Sequence, residues 1–397
     1  MITRFTRKAL KRLGFEVSKI RTDIHQSERP VELLPAGSVK GKVLFSYVVE
    51  PFTHNEISNG HTHHWESFCI AQCLLARGYS VDVVSYRNRR FVPTKSYDVF
   101  ISARTNFDRI AAHLELDCLK IVHLDTAHWL ANNASAIERL IDLRDWRHVS
   151  IDDRKMVEAN QAIEQAHHAT ILGNGYTIDT YKFSNKPIYR IPISSPATYP
   201  PPLNKDYDQC RHHYLWFGSG GLVHKGLDLA IEAFSQMPDK HLAICGPIVE
   251  EPEFVEIYRR ELYESANIEL VGWVDVESEF FINLMNNTLG LVYPSCAEGG
   301  GGSVLSCMHG GVIPIVTRET SVDIDAGYGV ELKEASIAEI IAQVSRLSEL
   351  DAATLRNMSL TARNFALKYH TRDSFKLAYE NYLDSYLLPL LSDKPAQ

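Results

Sequence analysis

Short apolar runs alternate with segments of helical spacing along most of this chain. KVLFSYVV (Lys42 to Val49), YSVDVVSY, YDVFISA and LKIVHLDT read as buried strands, and HATILGNG, ending at Gly175, reads as another strand entering a turn. Trp65 to Gly78 carries apolar residues at helical spacing and stops at glycine. Strands that alternate with helices imply a parallel, doubly wound sheet. Prolines at 187, 192, 196, 200, 201 and 202 then interrupt the pattern, marking a linker. From His213 it restarts: strand YLWFGSGG, a helix from Leu227 to Phe234, strand HLAICG, a helix from Phe254 to Tyr263, and strands NIELVGWV and LGLVYPS. Ser336 to Leu388 reads as helices, with Phe375, Tyr379, Tyr382 and Tyr386 at spacings of three and four. The division expected is a basic segment and linker (1–40), a Rossmann-like domain (41–190), a Pro-rich linker (191–207), a second Rossmann-like domain (208–365) and C-terminal helices (366–397) that can pack back on the first domain.

Composition narrows the class. A length of 397 residues suits two domains, and a formal net charge of −8 argues against nucleic acid as a partner. Seven cysteines, an odd number scattered through predicted elements, read as reduced buried thiols. No run approaches the roughly 18 apolar residues of a membrane span, and the N-terminus lacks a signal-peptide core, so a cytoplasmic protein is expected. Residues 1–21 differ: Arg4, Arg7, Lys8, Lys11, Arg12, Lys19 and Arg21 stand against Glu16, with Ile2, Phe5, Ala9 and Leu13 on one helical face. Such a segment can lie peripherally on an anionic membrane surface, the alternative being a solvated leader helix.

Candidate chemistry concentrates in Pro294 to Val316, PSCAEGGGGSVLSCMHGGVIPIV. A helix start stripped of side chains leaves N–H groups and the positive dipole end free for an anion. Glu298, at its mouth, can accept hydrogen bonds from hydroxyls, so a sugar carrying phosphates is the ligand expected. WFGSGGLVHKG (Trp216 to Gly226) adds a second glycine-rich turn and a cation, Lys225. It matches neither the dinucleotide fingerprint nor the P-loop, which makes a nicotinamide enzyme a distant reading.

The C-terminal half resembles the nucleotide-binding domain of GT-B glycosyltransferases of the group 1 type, family 4 of the retaining enzymes. The glycine loop with Lys225 and Gly226, ICGP (Ile244 to Pro247), VGWV (Val271 to Val274), and PSCAEG followed by GGVIPIV carry the resemblance, which spans most of 41–390. It implies two Rossmann-like domains facing each other across a cleft, with donor sugar nucleotide on the C-terminal side and acceptor on the other. Glu298 would contact the donor sugar; Ser219, Gly220, Lys225, Gly300, Gly301, Gly302 and Ser303 would hold sugar and diphosphate; the base would lie near Trp273 and Val274. Two departures stand out. Ser306 occupies the position of a second glutamate that usually bridges the ribose hydroxyls, and the glycine loop lacks an arginine, leaving Lys225 the sole cation visible in this half.

The resemblance places a histidine after the strand of KIVHLDTAHW (Lys120 to Trp129): His128 fits best, His123 second. It also brings Gly60, His61 and His63 of SNGHTHHWESF to the opposite wall of the cleft. Those histidines with Cys69 and Cys73 suggest zinc, but C-x3-C inside an apolar helical pattern reads as buried thiols. Asp323-x-Asp325 resembles the metal motif of another glycosyltransferase fold by chance. The reaction implied moves a sugar, with retention, from a nucleotide-diphosphate donor to a carbohydrate or lipid-linked acceptor, without metal or cofactor. The rival is a non-catalytic sugar-nucleotide or glycan-binding component of a polysaccharide assembly complex.

Overall fold

The computed structural model describes residues 29–54, 57–202 and 204–392; the basic segment 1–21 lies outside them. The first sheet has seven strands, β1 (Val31–Leu33), β2 (Gly41–Tyr47), β3 (Tyr79–Ser85), β4 (Val99–Ala103), β5 (Leu119–Leu124), β6 (His168–Ile171) and β7 (Ile188–Arg190), in the order β1-β3-β2-β4-β5-β6-β7. Only β1 pairs antiparallel. Helices cover both faces, which is why β2 reads apolar at consecutive positions. Val43 and Phe45 join a core with Ile70 and Leu74 of the helix Thr62–Ala76. Leu44 faces the other way, with Phe100, Phe107 and Ile110.

The second sheet contains β8 (His213–Phe217), β9 (His241–Cys245), β10 (Ile268–Gly272), β11 (Gly290–Tyr293), β12 (Ile313–Thr317) and β13 (Val330–Leu332), all parallel, in the order β10-β9-β8-β11-β12-β13. Strand order reverses at β2/β4 in one sheet and at β8/β11 in the other. Crevices open at the carboxyl ends of strands at such points, and here the two crevices face each other. The region read as one helix over Phe254 to Tyr263 is two, Pro252–Ile257 and Arg259–Glu264. The break falls at Tyr258, whose buried ring takes the Arg147 guanidinium 4.4 Å above it.

Polar contacts tie the domains together. Arg139 and Asp228, both buried, pair at 2.6 Å; Arg147 reaches Glu232 at 2.5 Å and Glu261 at 2.7 Å; Arg190 meets Asp323 at 2.6 Å. In the linker, the Ser194 N–H and hydroxyl donate to Glu66 at 2.8 and 2.9 Å. The C-terminal helix Arg372–Tyr382 lies on the first domain: Phe375 packs edge-on to Trp65, and the Tyr382 hydroxyl is 2.6 Å from His168 Nε2.

Candidate functional site

A cleft of about 970 Å³ lies between the facing crevices, of a size that suits a nucleotide-linked ligand. Gly60, His61 and His63 line it from the first domain. Ser219, Lys225, Trp273, Val274, Glu298, Gly300, Gly301, Gly302, Ser303 and Ser306 line it from the second. Gly220 is not on the wall, and His128 is elsewhere.

Glu298 follows β11 at the switch point. Its Oε1 accepts from Lys225 Nζ, from the Tyr293 hydroxyl at 2.9 Å and from the Ser295 hydroxyl at 3.1 Å. The backbone on either side is fixed as well, the Glu298 N–H donating to Glu319 O at 2.9 Å and Ser321 Oγ donating to Glu298 O at 2.8 Å. Burial opposes ionisation of this carboxyl, but Lys225, His224 and Lys155 outweigh it and hold it down at about 2. Glu298 is therefore an oriented anion at neutral pH, with Oε2 left for a ligand hydroxyl. His224 supports it from beneath: its Nε2 donates to Ala297 O at 2.7 Å. Burial would discharge that imidazole, yet Asp153 at 3.5 Å, with Cys296, raises it to about 10.

The four glycines after Glu298 owe their identity to packing as much as to any ligand. A Cβ on Gly299 would fall 1.8 Å from Asp125 O, so the turn touches the backbone of the facing domain there. Gly300 lies against Ile193 and Gly301 has φ +59°, a left-handed N-cap for the helix Gly302–His309. That helix start still faces the cleft. Ser306 is buried and donates its hydroxyl to Gly302 O at 2.9 Å, so it keeps acceptor capacity only.

The first glycine turn departs from expectation. The N–H groups of Gly221 and Leu222 donate to the carboxylate of Glu251, 29 residues beyond Leu222. A protein anion occupies the loop amides that a phosphate was expected to take, and a Cβ on Gly220 would lie 3.3 Å from the same carboxylate. Ser219 and Lys225 remain on the cleft wall. Trp273 is 69% exposed at the mouth and Val274 is buried beside it.

On the opposite wall, His61 Nδ1 accepts the His63 N–H at 3.2 Å and caps the helix Thr62–Ala76. Burial and neighbouring His64 lower the His61 pKa to about 4, so the ring is neutral with its proton on Nε2. His63 is likewise held neutral by burial, stacked edge-on to His61 at 4.2 Å. Asp125, paired with Arg104, also lines the cleft, as does Lys155. Sequence reasoning missed all three; for Asp125 the signal was the polar Asp-Thr closing strand LKIVHLDT.

His128 is corrected. Its N–H donates to Thr180 Oγ1 at 3.0 Å at the start of the helix Trp129–Arg147, and its ring turns away into Tyr181 at 5.4 Å and Phe183 at 4.8 Å. His123 is fully buried, 2.8 Å from Thr170 Oγ1 and edge-on to Tyr47. Neither lines the cleft. Among the described residues no cluster of three or more His, Cys, Asp or Glu could hold a metal ion, and Asp323 is taken by Arg190. No helix among them is long and apolar enough to cross a membrane.

No family model matches the chain, and no curated protein matches it. Solved structures do. Sucrose-phosphate synthase from Thermosynechococcus elongatus superposes with a TM-score of 0.62 at 12% identity, over 88% of this chain and 99% of that one. Anabaena HepE, in complex with UDP-glucose, gives 0.58 at 11% identity over 87% and 100%. Staphylococcus aureus TarM, in a complex containing UDP, gives 0.52 at 13% identity over 74% of this chain; the chain spans only 55% of TarM. Likeness at these identities establishes the architecture, that of the GT-B glycosyltransferases.

Proposed function

We propose that this chain is a glycosyltransferase that moves a sugar from a nucleotide-diphosphate donor to a carbohydrate or lipid-linked acceptor with retention of configuration. The observation that carries the reading is Glu298: a carboxylate held ionised beside Lys225 at the mouth of a glycine-started helix, inside a cleft formed where two switch points face each other. Oε2 of Glu298 would accept donor sugar hydroxyls. Lys225 and the helix start would stabilise the charge that grows on the diphosphate as its bond to the anomeric carbon breaks. The acceptor oxygen would bond to that carbon from the same face, its proton passing to the departing diphosphate oxygen. The positive potential then comes from the protein rather than from a metal. Neutral His61 and His63 would donate hydrogen bonds to sugar hydroxyls from the facing wall.

Support from comparison is of fold: HepE was solved with UDP-glucose and TarM with UDP, on the architecture found here. A thermal-shift screen against UDP-, GDP-, ADP-, CMP- and dTDP-sugars tests donor binding. One donor should raise the melting temperature of the wild type and not of Glu298→Gln; no shift with any of them counts against the reading. A membrane-surface acceptor, suggested by the basic residues 1–21, predicts that deleting them abolishes binding to anionic vesicles. One observation favours a non-catalytic sugar-nucleotide-binding protein: Ser306 is spent on its own helix where a ribose-binding carboxylate would serve. Donor turnover separates the two.

A further inference from the structure

Residues 149–161 form no regular structure, yet both domains hold them. Asn132 and Asn133, on the helix Trp129–Arg147, grip the strap from the first domain: Asn132 Nδ2 donates to Lys155 O at 3.0 Å and Asn133 Nδ2 to Val157 O at 2.8 Å. The second domain holds it through Arg154 Nη1, which donates to Glu250 O at 2.8 Å, and through the buried approach of Asp153 to His224. Between these anchors Lys155 is laid over the first glycine turn, its Cε 3.0 Å from where a Cβ on Gly221 would stand, and it lines the cleft.

The two lysines of the cleft differ in how they are paired. Lys225 is already paired with Glu298 and bonded to Tyr293. Lys155 has no ion pair among the described residues, and burial and the nearby Lys225 both lower its proton affinity while Glu298 and Glu251 oppose them. Two ammonium groups thus line the cleft and only one of them is ion-paired, which leaves Lys155 able to meet the charge of a further anion. The glycine turn cannot satisfy that anion alone, since Glu251 takes the amides of Gly221 and Leu222.

We propose that Lys155, delivered by the strap from the first domain, is the second cation that grips the donor diphosphate above the glycine turn. The inference rests on the donor reading given above and adds to it a residue from the other domain. It makes the diphosphate a bridge between domains, so donor binding and domain contact reinforce each other.

Calorimetric titration of wild type, Lys155→Met and Lys155→Arg tests this, using UDP, GDP, ADP and dTDP and then the nucleoside of whichever diphosphate binds. Losing one charge-assisted contact should weaken the diphosphate by about tenfold or more in Lys155→Met and leave the nucleoside unchanged. Lys155→Arg should retain most of the affinity, and added salt should narrow the gap between wild type and Lys155→Met. Diphosphate affinity within twofold of wild type in Lys155→Met overturns the assignment. Equal losses for nucleoside and diphosphate would make Lys155 a strut between domains and overturn it too. If wild type binds none of the four diphosphates, the donor reading falls and takes this inference with it.

Discussion

Replacing Gly299 by alanine tests whether contact between the domains sets the geometry of the site. The added Cβ would stand 1.8 Å from Asp125 O and 2.6 Å from Thr126 N, both backbone atoms. Carbon and oxygen approach to about 3.3 Å at the closest in ordinary contacts, so the turn and the end of β5 must part by roughly 1.5 Å. Two responses are open to the chain. Opening the cleft would disturb the buried Arg139–Asp228 pair, whose separation leaves uncompensated charge at a cost of about 3–5 kcal/mol. Shifting the turn instead moves Glu298, the adjacent residue, relative to Lys225. A displacement of about 1 Å at a reacting site can cost roughly a hundredfold in rate, and a loss of that order is expected in kcat/KM for the donor on either path. Gly302→Ala is the control for stability: its Cβ would meet nothing closer than 3.7 Å, and its unfolding should match wild type. Steady-state donor turnover, with small-angle scattering to report the separation of the domains, measures the effect. Wild-type turnover in Gly299→Ala would show that contact between the domains does not set the geometry of the site.

Three further outcomes are expected. Asp228→Ala leaves the buried Arg139 guanidinium with only the half-exposed Asp142, 3.3 Å away, and should lower stability by about 1.5–3 kcal/mol in urea unfolding, while Arg139→Met with Asp228→Leu recovers most of the loss; equal stability in all three would contradict the pairing. Ser306→Ala should change donor KM by about twofold at most, because the hydroxyl is donated to Gly302 O; a tenfold rise would show that Ser306 grips the donor. His123, His168 and His370 are pressed by burial to about 4, whereas an unfolded histidine binds its proton near 6.5. The unfolded chain therefore holds more protons between those values, and stability should be lost as pH falls through that window. Glu66, raised by burial to about 7, opposes this with one proton only. A melting temperature that stays constant or rises from pH 7 to pH 5 would refute that balance.

The parallel sheets were legible because strands buried on both faces, such as β2 and β5, must be apolar at consecutive positions, and because glycine and proline punctuate the turns. The Glu298 turn was legible for a related reason: few backbones need four small residues in succession. Side-chain direction was not. His128 sits one turn beyond a strand, as a site residue can, but Tyr181 and Phe183, more than 50 positions away, decide that its ring leaves the cleft. Glu251 lies 30 residues from Gly221, and nothing local says that its carboxylate will fill the glycine turn. Lys155 belongs to a segment without periodicity, placed by contacts to both domains. Residues defined by long-range contacts escape local patterns, and the cations and anions of this cleft are of that kind.

On the proposed function the cleft consumes a sugar nucleotide while Glu298 holds the sugar. The direct measurement is nucleotide release from UDP-, GDP-, ADP-, CMP- and dTDP-sugars by wild type and Glu298→Gln, alone and with glycan acceptors. Release is expected from one donor, faster with an acceptor, and at least about a hundredfold slower in Glu298→Gln. A donor that raises the wild-type melting temperature yet is never consumed would contradict it and establish the chain as a sugar-nucleotide-binding protein.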